Sequence, residues 1–140
     1  VLNDEIDPGS LPPGYLDRVI ATETRELERR EALYRGGRPA VPLAGRTVLV
    51  VDDGLATGST AAAAVRALRR AGPRRIVLAV PVAAPDSAER LARLADEVVC
   101  LSTPADFRAV SLWYRSFGQT SDEEVIELLQ RASAPAPAVA

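Results

Sequence analysis

Hydrophobic positions along the chain change their spacing twice. Residues 15–35 carry Leu16, Val19, Ile20 and Leu27 at helical intervals within a dense field of charge. So thin a stripe predicts a long, mostly solvated helix. Glu26 with Arg30, and Glu31 with Arg35, stand one turn apart in the favourable order. Gly36-Gly37 closes the helix, and Pro39 and Pro42 keep the next stretch extended. Residues 7–14 (DPGSLPPG) have turn chemistry.

From residue 47 the pattern becomes unbroken apolar runs. TVLVVD (47–52) and RIVLAVPV (75–82) are rich in β-branched residues, which predicts strands buried on both faces of a parallel sheet. Between them, residues 59–71 place Ala61, Ala64, Val65 and Leu68 on one helical face, with Gly72 as the stop. Residues 85–95 predict a further helix with Ala88, Leu91 and Ala92 inward, and residues 97–101 a third strand. The order strand–helix–strand–helix–strand predicts an α/β fold: an open, mostly parallel sheet flanked by helices, with right-handed crossovers. Residues 105–119 hold Phe107, Trp113, Tyr114 and Phe117 and read as an irregular surface segment. Ser121 and Glu124 form a capping box for a last helix over 121–131, with Val125, Leu128 and Leu129 as its stripe. The composition of 132–140 (ASAPAPAVA) is that of a disordered tail, so a single domain is expected over 1–131.

Composition narrows the chemistry. At 140 residues there is room for one compact domain. A net charge of −2 without a basic patch argues against nucleic acid as a partner. No apolar run is long enough for a membrane helix, and a cytoplasmic protein is expected. Cys100 is the sole cysteine and sits in an apolar stretch, as a buried, inert thiol would. All 17 basic residues are arginine, and histidine is absent. Lysine Schiff bases, histidine general bases and histidine metal ligands are therefore excluded within this chain. The chain lacks methionine and begins Val1-Leu2-Asn3-Asp4, like the tail of a strand leaving a sheet, so a piece of a longer domain is expected.

The informative segment is VLVVDDGLATGST, residues 48–60. A buried parallel strand would end at Asp52-Asp53, and ligands sit outside that end in open α/β sheets. A loop of small residues then opens into a helix. Its amides over 57–60 would converge at the positive end of the helix dipole, with the hydroxyls of Thr57, Ser59 and Thr60 as further donors. That is an anion site; the same hydroxyls also serve as helix caps. Two adjacent carboxyls sit uneasily beside an anion unless donors are supplied, and the vicinal hydroxyls of a ribose supply them. A ribose 5-phosphate has the matching shape. An acidic receiver pocket is the bland alternative, but it needs a later aspartate and a lysine that are absent; a P-loop lacks its glycine–lysine pair.

This stretch resembles the phosphoribosyl-diphosphate-binding signature of type I phosphoribosyltransferases. Further stretches (ELERREALYRGGRP, PVAAPDSAERL and DEVVCL, then WY and QTSDEEVIELL) resemble a bacterial branch of that family named from sequence. The resemblance implies a domain lacking its amino-terminal part, in which Asp52 and Asp53 contact the ribose hydroxyls. It implies that Ala56, Thr57, Gly58, Ser59 and Thr60 cradle the 5-phosphate. It implies transfer of the phosphoribosyl group to a nitrogenous base with release of pyrophosphate, Mg2+ entering on that pyrophosphate, and leaves room for a homodimer. A phosphoribosyl-diphosphate sensor without turnover is the alternative, and this piece alone need not be active. Trp113 and Tyr114 either stack on the base or cover a sheet edge. No catalytic residue and no protein metal ligand is assigned. Gly54 departs mildly from the family's usual aliphatic residue. Ala56 stands where purine-salvage members carry an acid, against hypoxanthine-guanine-type activity. Arg35-Gly36-Gly37 is like the family's pyrophosphate loop but follows a helix. In place of the orotate enzymes' lysines, Arg29, Arg30, Arg35 and Arg38 are the cations at hand.

Overall fold

A computed structural model describes Gly9 and residues 11–133. The elements run α1 (Tyr15–Arg35), β1 (Thr47–Val51), α2 (Ser59–Arg70), β2 (Arg75–Val82), α3 (Pro85–Ala92), β3 (Glu97–Ser102), a 3-10 turn (Val110–Trp113) and α4 (Asp122–Ser133). The chain clusters into two compact units. One holds residues 42–117; the other holds the described parts of Asp7–Val41 and Gly118–Ala140.

In the first unit the strands are parallel, in the order β1-β2-β3. Val50 pairs with Leu78, and Leu78 with Val98. Ile76, Leu78, Val80 and Val82 of the central strand are buried. The first three meet Ala61, Ala62 and Val65 of α2 and Leu91 of α3 in one core. Both crossover helices therefore cover the same face. On the other face Leu49 and Val51 are 61% and 70% exposed, and Val99 and Leu101 are exposed too. The expectation that 47–52 is buried on both faces is thus corrected: among the described residues β1 flanks only one strand, and α2 and α3 lie on a single side. The unbroken apolar run does not reveal this, because residues of both faces read alike in sequence.

Local differences have local causes. α3 stops at Ala92, not 95; its inward positions are Ser87 and Leu91, with Ala88 packed against the core as expected and Ala92 exposed. Leu94 and Ala95 turn their amides to Leu91's carbonyl, which ends the helix while keeping Ala95 buried. Cys100 is partly buried, with its thiol on the Ser102 carbonyl. Arginines at the end of α2 and the start of β2 form exposed ion pairs. Arg69 reaches Asp96 at 2.7 Å, and Arg75 pairs with Glu97. Asp96 also accepts the Ile76 amide at 2.6 Å, and the Arg69 contact, followed by this one, holds its carboxyl below the usual range.

The second unit is a pair of helices. α1 has no buried residue, as its thin stripe predicts. Glu26–Arg30 and Glu31–Arg35 both close at 2.7 Å, and Gly36 caps the helix in the left-handed conformation. α4 begins with the Glu124 amide on the Ser121 hydroxyl. Its expected stripe is only half covered: Val125 is partly buried, whereas Leu128 and Leu129 are exposed. α4 continues through Ala132 and Ser133; the rest of the expected tail, 134–140, lies outside the described residues.

Candidate functional site

β1 delivers Asp52 and Asp53 to its carboxyl end, and residues 54–58 turn the chain into α2. Residues 52–61 and Val110 line a cleft of about 240 Å³. Every residue expected to hold ribose or phosphate thus faces one cavity. Asp52 is partly buried, and its carboxyl accepts the Asp53 amide at 3.0 Å; Asp53 is exposed.

The turn depends on Gly58, which is buried and has a φ of 63°. A side chain there would be strained, and a Cβ would meet Leu91 Cδ2 at 2.9 Å. Gly58 is the N-cap of α2, without a side-chain cap bond. Hydroxyl capping, left open by the sequence, comes instead from the residue before it: the Thr57 hydroxyl oxygen accepts the Ser59 amide at 3.4 Å. The Thr57 hydroxyl donates to Ser59 Oγ at 3.2 Å. Among the described residues no hydrogen bond occupies the amides of Ala56, Thr57, Gly58 or Thr60. Orphan amides at a helix start favour an anion, the dipole adding to their pull.

Gly54 has a reason of its own. A Cβ there would meet Val110 Cγ1 at 2.9 Å and the Val82 carbonyl oxygen at 3.0 Å. The departure from an aliphatic residue, mild by sequence, lets the 110–113 turn settle on the loop. Tyr114 follows that turn. Its hydroxyl donates to the Asp53 carbonyl at 2.6 Å, and its ring meets Phe117 with centroids 5.2 Å apart. Trp113 is 45% exposed. Neither Trp113 nor Tyr114 lines the cleft, although Val110 does.

Two residues that sequence reasoning missed hold the loop from behind. Ser87, 4% exposed, donates to the Ala56 carbonyl at 2.6 Å, and Arg90 donates to the Thr57 carbonyl. One signal does stand in the sequence: Ser87 lies one turn before Leu91 on the inward face, and a buried hydroxyl requires a partner. The arginines weighed in place of the orotate enzymes' lysines have partners within their own unit. Arg29 and Arg30 pair with Glu26, Arg35 pairs with Glu31, and Arg38 donates to the carbonyls of Tyr34 and Arg35. Two adjacent carboxyls suit Mg2+ only when substrate oxygens complete its shell. No cluster of three or more metal-binding groups occurs among the described residues.

Comparison with known proteins gives these features a context. The family model of the phosphoribosyl transferase domain matches residues 20–114. A Mycobacterium tuberculosis H37Rv protein, Rv0571c, provisionally named a phosphoribosyl transferase, is 49% identical over 133 residues. The match covers 94% of this chain and 30% of that protein, so the chain spans under a third of the relative's length. An adenine phosphoribosyltransferase of Mycolicibacterium gilvum is 47% identical over 64 residues, 46% of this chain and 33% of that protein. The crystal structure of TT1426 from Thermus thermophilus superposes with a TM-score of 0.75 at 45% identity, covering 86% of this chain and 58% of that one.

Proposed function

The chain belongs to the type I phosphoribosyltransferase family, and from that premise we propose that its cleft binds 5-phosphoribosyl 1-diphosphate. Asp52 and Asp53 accept hydrogen bonds from the ribose hydroxyls. The amides and hydroxyls of residues 56–60 hold the 5-phosphate. The observation that carries this reading is the meeting, in one cleft, of a carboxyl pair with unpaired amides at a helix start. Each hydrogen bond to a charged oxygen contributes about 1.5–3 kcal/mol, so a few suffice for firm binding.

In the whole protein the site serves transfer to a nitrogenous base. The bond from ribose C1 to the pyrophosphate oxygen breaks, and pyrophosphate leaves with the electron pair. A bond from C1 to the base nitrogen forms, and the base gives up its proton. This chain's residues hold the sugar and exclude water around it. Bound on the pyrophosphate, Mg2+ would supply neutralisation of the leaving group's charge. Trp113 and Tyr114 are the candidates for stacking on the base, the Tyr114 ring packing already on Phe117. The protein acts in the cytoplasm on small molecules. A sensor that binds without turnover is the second reading; Ala56, which offers no carboxyl for the base proton, speaks only against hypoxanthine-guanine-type transfer.

Calorimetry with 5-phosphoribosyl 1-diphosphate tests the assignment. Asp52→Asn combined with Asp53→Asn abolishes binding while the thermal melt is retained; undiminished affinity would overturn it. Pyrophosphate release across a panel of bases by the full-length protein separates enzyme from sensor.

A further inference from the structure

An anion-binding loop has two requirements. Its amides must face the ligand, and its carbonyl oxygens must not, since they repel a phosphate. Across a trans peptide the carbonyl of one residue and the amide of the next point in opposite directions. Fixing the carbonyl therefore aims the following amide.

Three consecutive peptides of the loop are fixed in this way by one neighbouring segment. The Leu55 carbonyl accepts the Ala84 amide at 2.8 Å, just before α3. The Ala56 carbonyl accepts the Ser87 hydroxyl at 2.6 Å, and the Thr57 carbonyl accepts Arg90. The amides that follow those carbonyls belong to Ala56, Thr57 and Gly58, and each lacks a partner among the described residues. No residue of α3 lines the cleft, so the cleft lies on the side of the loop away from α3. Leu91, fully buried, packs where a Gly58 side chain would sit and closes the gap between helix and loop.

We propose that Ser87 and Arg90 are positioning residues for phosphate recognition: α3 draws the loop's carbonyls backward and thereby turns three successive amides toward the 5-phosphate. The inference rests on the phosphoribosyl reading and extends it to residues that touch no ligand. Without the Ser87 hydroxyl, the Ala56–Thr57 peptide loses what holds its carbonyl away from the anion. Arg90 adds a charge-assisted bond that polarises the Thr57–Gly58 peptide in the same sense.

The test titrates 5-phosphoribosyl 1-diphosphate into the wild-type chain and into Ser87→Ala, Arg90→Met and Arg90→Lys, with backbone amide NMR of Thr57 and Gly58 in each. Ser87→Ala and Arg90→Met each weaken binding by about tenfold. Both broaden or move the Thr57 and Gly58 amide signals before ligand is added. Arg90→Lys, which keeps a cationic donor, restores most of the affinity. Arg90 is only partly buried, so its variants keep the core and remain informative even where Ser87→Ala melts early. Wild-type binding that persists unchanged in Ser87→Ala and Arg90→Met overturns the positioning role and leaves the phosphoribosyl reading standing. Absence of binding by the wild type overturns that reading and this inference with it.

Discussion

In residues 42–117 the core that holds the unit is apolar, and the polar contacts lie around it. Ile76, Leu78 and Leu91 are 0% exposed, and the loop at the cleft is braced against that core through Leu91. Polar groups tie α1 to α4 instead: Arg29 and the Tyr34 hydroxyl meet Asp122 at 3.0 and 2.5 Å, and α1 buries no residue. The first arrangement derives its stability from area removed from water, which neither salt nor pH changes much. The second depends on charged groups that stay in contact with solvent, where ion pairs are weak and screened. A site that needs fixed amides is placed on the first kind of scaffold.

The strongest way to break this contrast is to weaken the core itself. Leu78→Ala is expected to cost about 2–5 kcal/mol, because it removes a fully buried side chain and leaves a cavity in the central strand. Urea unfolding followed by the fluorescence of Trp113, which lies in the same unit, measures it. A cost below about 1 kcal/mol would mean the core is not close-packed at that point.

Gly58→Ala is expected to have the next largest effect. Alanine at a φ of 63° is strained, and its methyl enters the space of Leu91 Cδ2. The cost is about 1–3 kcal/mol. The same variant lowers affinity for 5-phosphoribosyl 1-diphosphate, because relieving the strain moves the amides. Full affinity together with lost stability would show that the loop's shape is not what the ligand reads.

Much of this is legible in sequence, and the reason is periodicity. Unbroken β-branched runs mark the strands; Leu16, Val19 and Ile20 mark α1; small residues between Asp53 and Ser59 mark the loop. Three things have no periodic signal. Exposure of Leu49 and Val51 depends on which side the crossovers fall, and side is invisible in a run of valines. Ser87 and Arg90 act on carbonyls 31 and 33 residues away. Asp122 meets Tyr34 across 88 residues. Bonds over such separations leave at most an isolated polar residue on an apolar face as their trace. Asp52 and Asp53 are legible because their chemistry is local: both follow one strand and precede one loop.

The helix pair supplies the smallest effect and the sharpest test of the contrast. The bonds from Arg29 and then Arg30 hold the Glu26 carboxyl at about 2, against an ordinary 4.5. The Tyr34 hydroxyl, and after it Arg29, holds Asp122 below its ordinary 3.8. A carboxyl whose folded pKa is depressed contributes stability that is complete above its unfolded pKa and drains away as pH falls toward the folded one. The link between α1 and α4 runs through Asp122, so it is expected to be intact above pH 3.8 and to loosen as pH falls below that, whereas the Glu26 pairs with Arg29 and Arg30 stay within α1. Tyr34 behaves oppositely. Its pKa is raised beside Asp122, so its contribution persists until pH climbs past 10. A carboxyl 13C titration should give a midpoint near pH 2 for Glu26 and one below 3.8 for Asp122, and α4 amides should lose protection as Asp122 protonates while those of Leu78 and Val80 keep theirs. Asp96 titrates in the first unit too, yet it braces the end of β2 and not the buried residues beyond it. An Asp122 midpoint at its ordinary 3.8 in the folded chain, or simultaneous loss of protection at Leu78, would erase the distinction between the two regions.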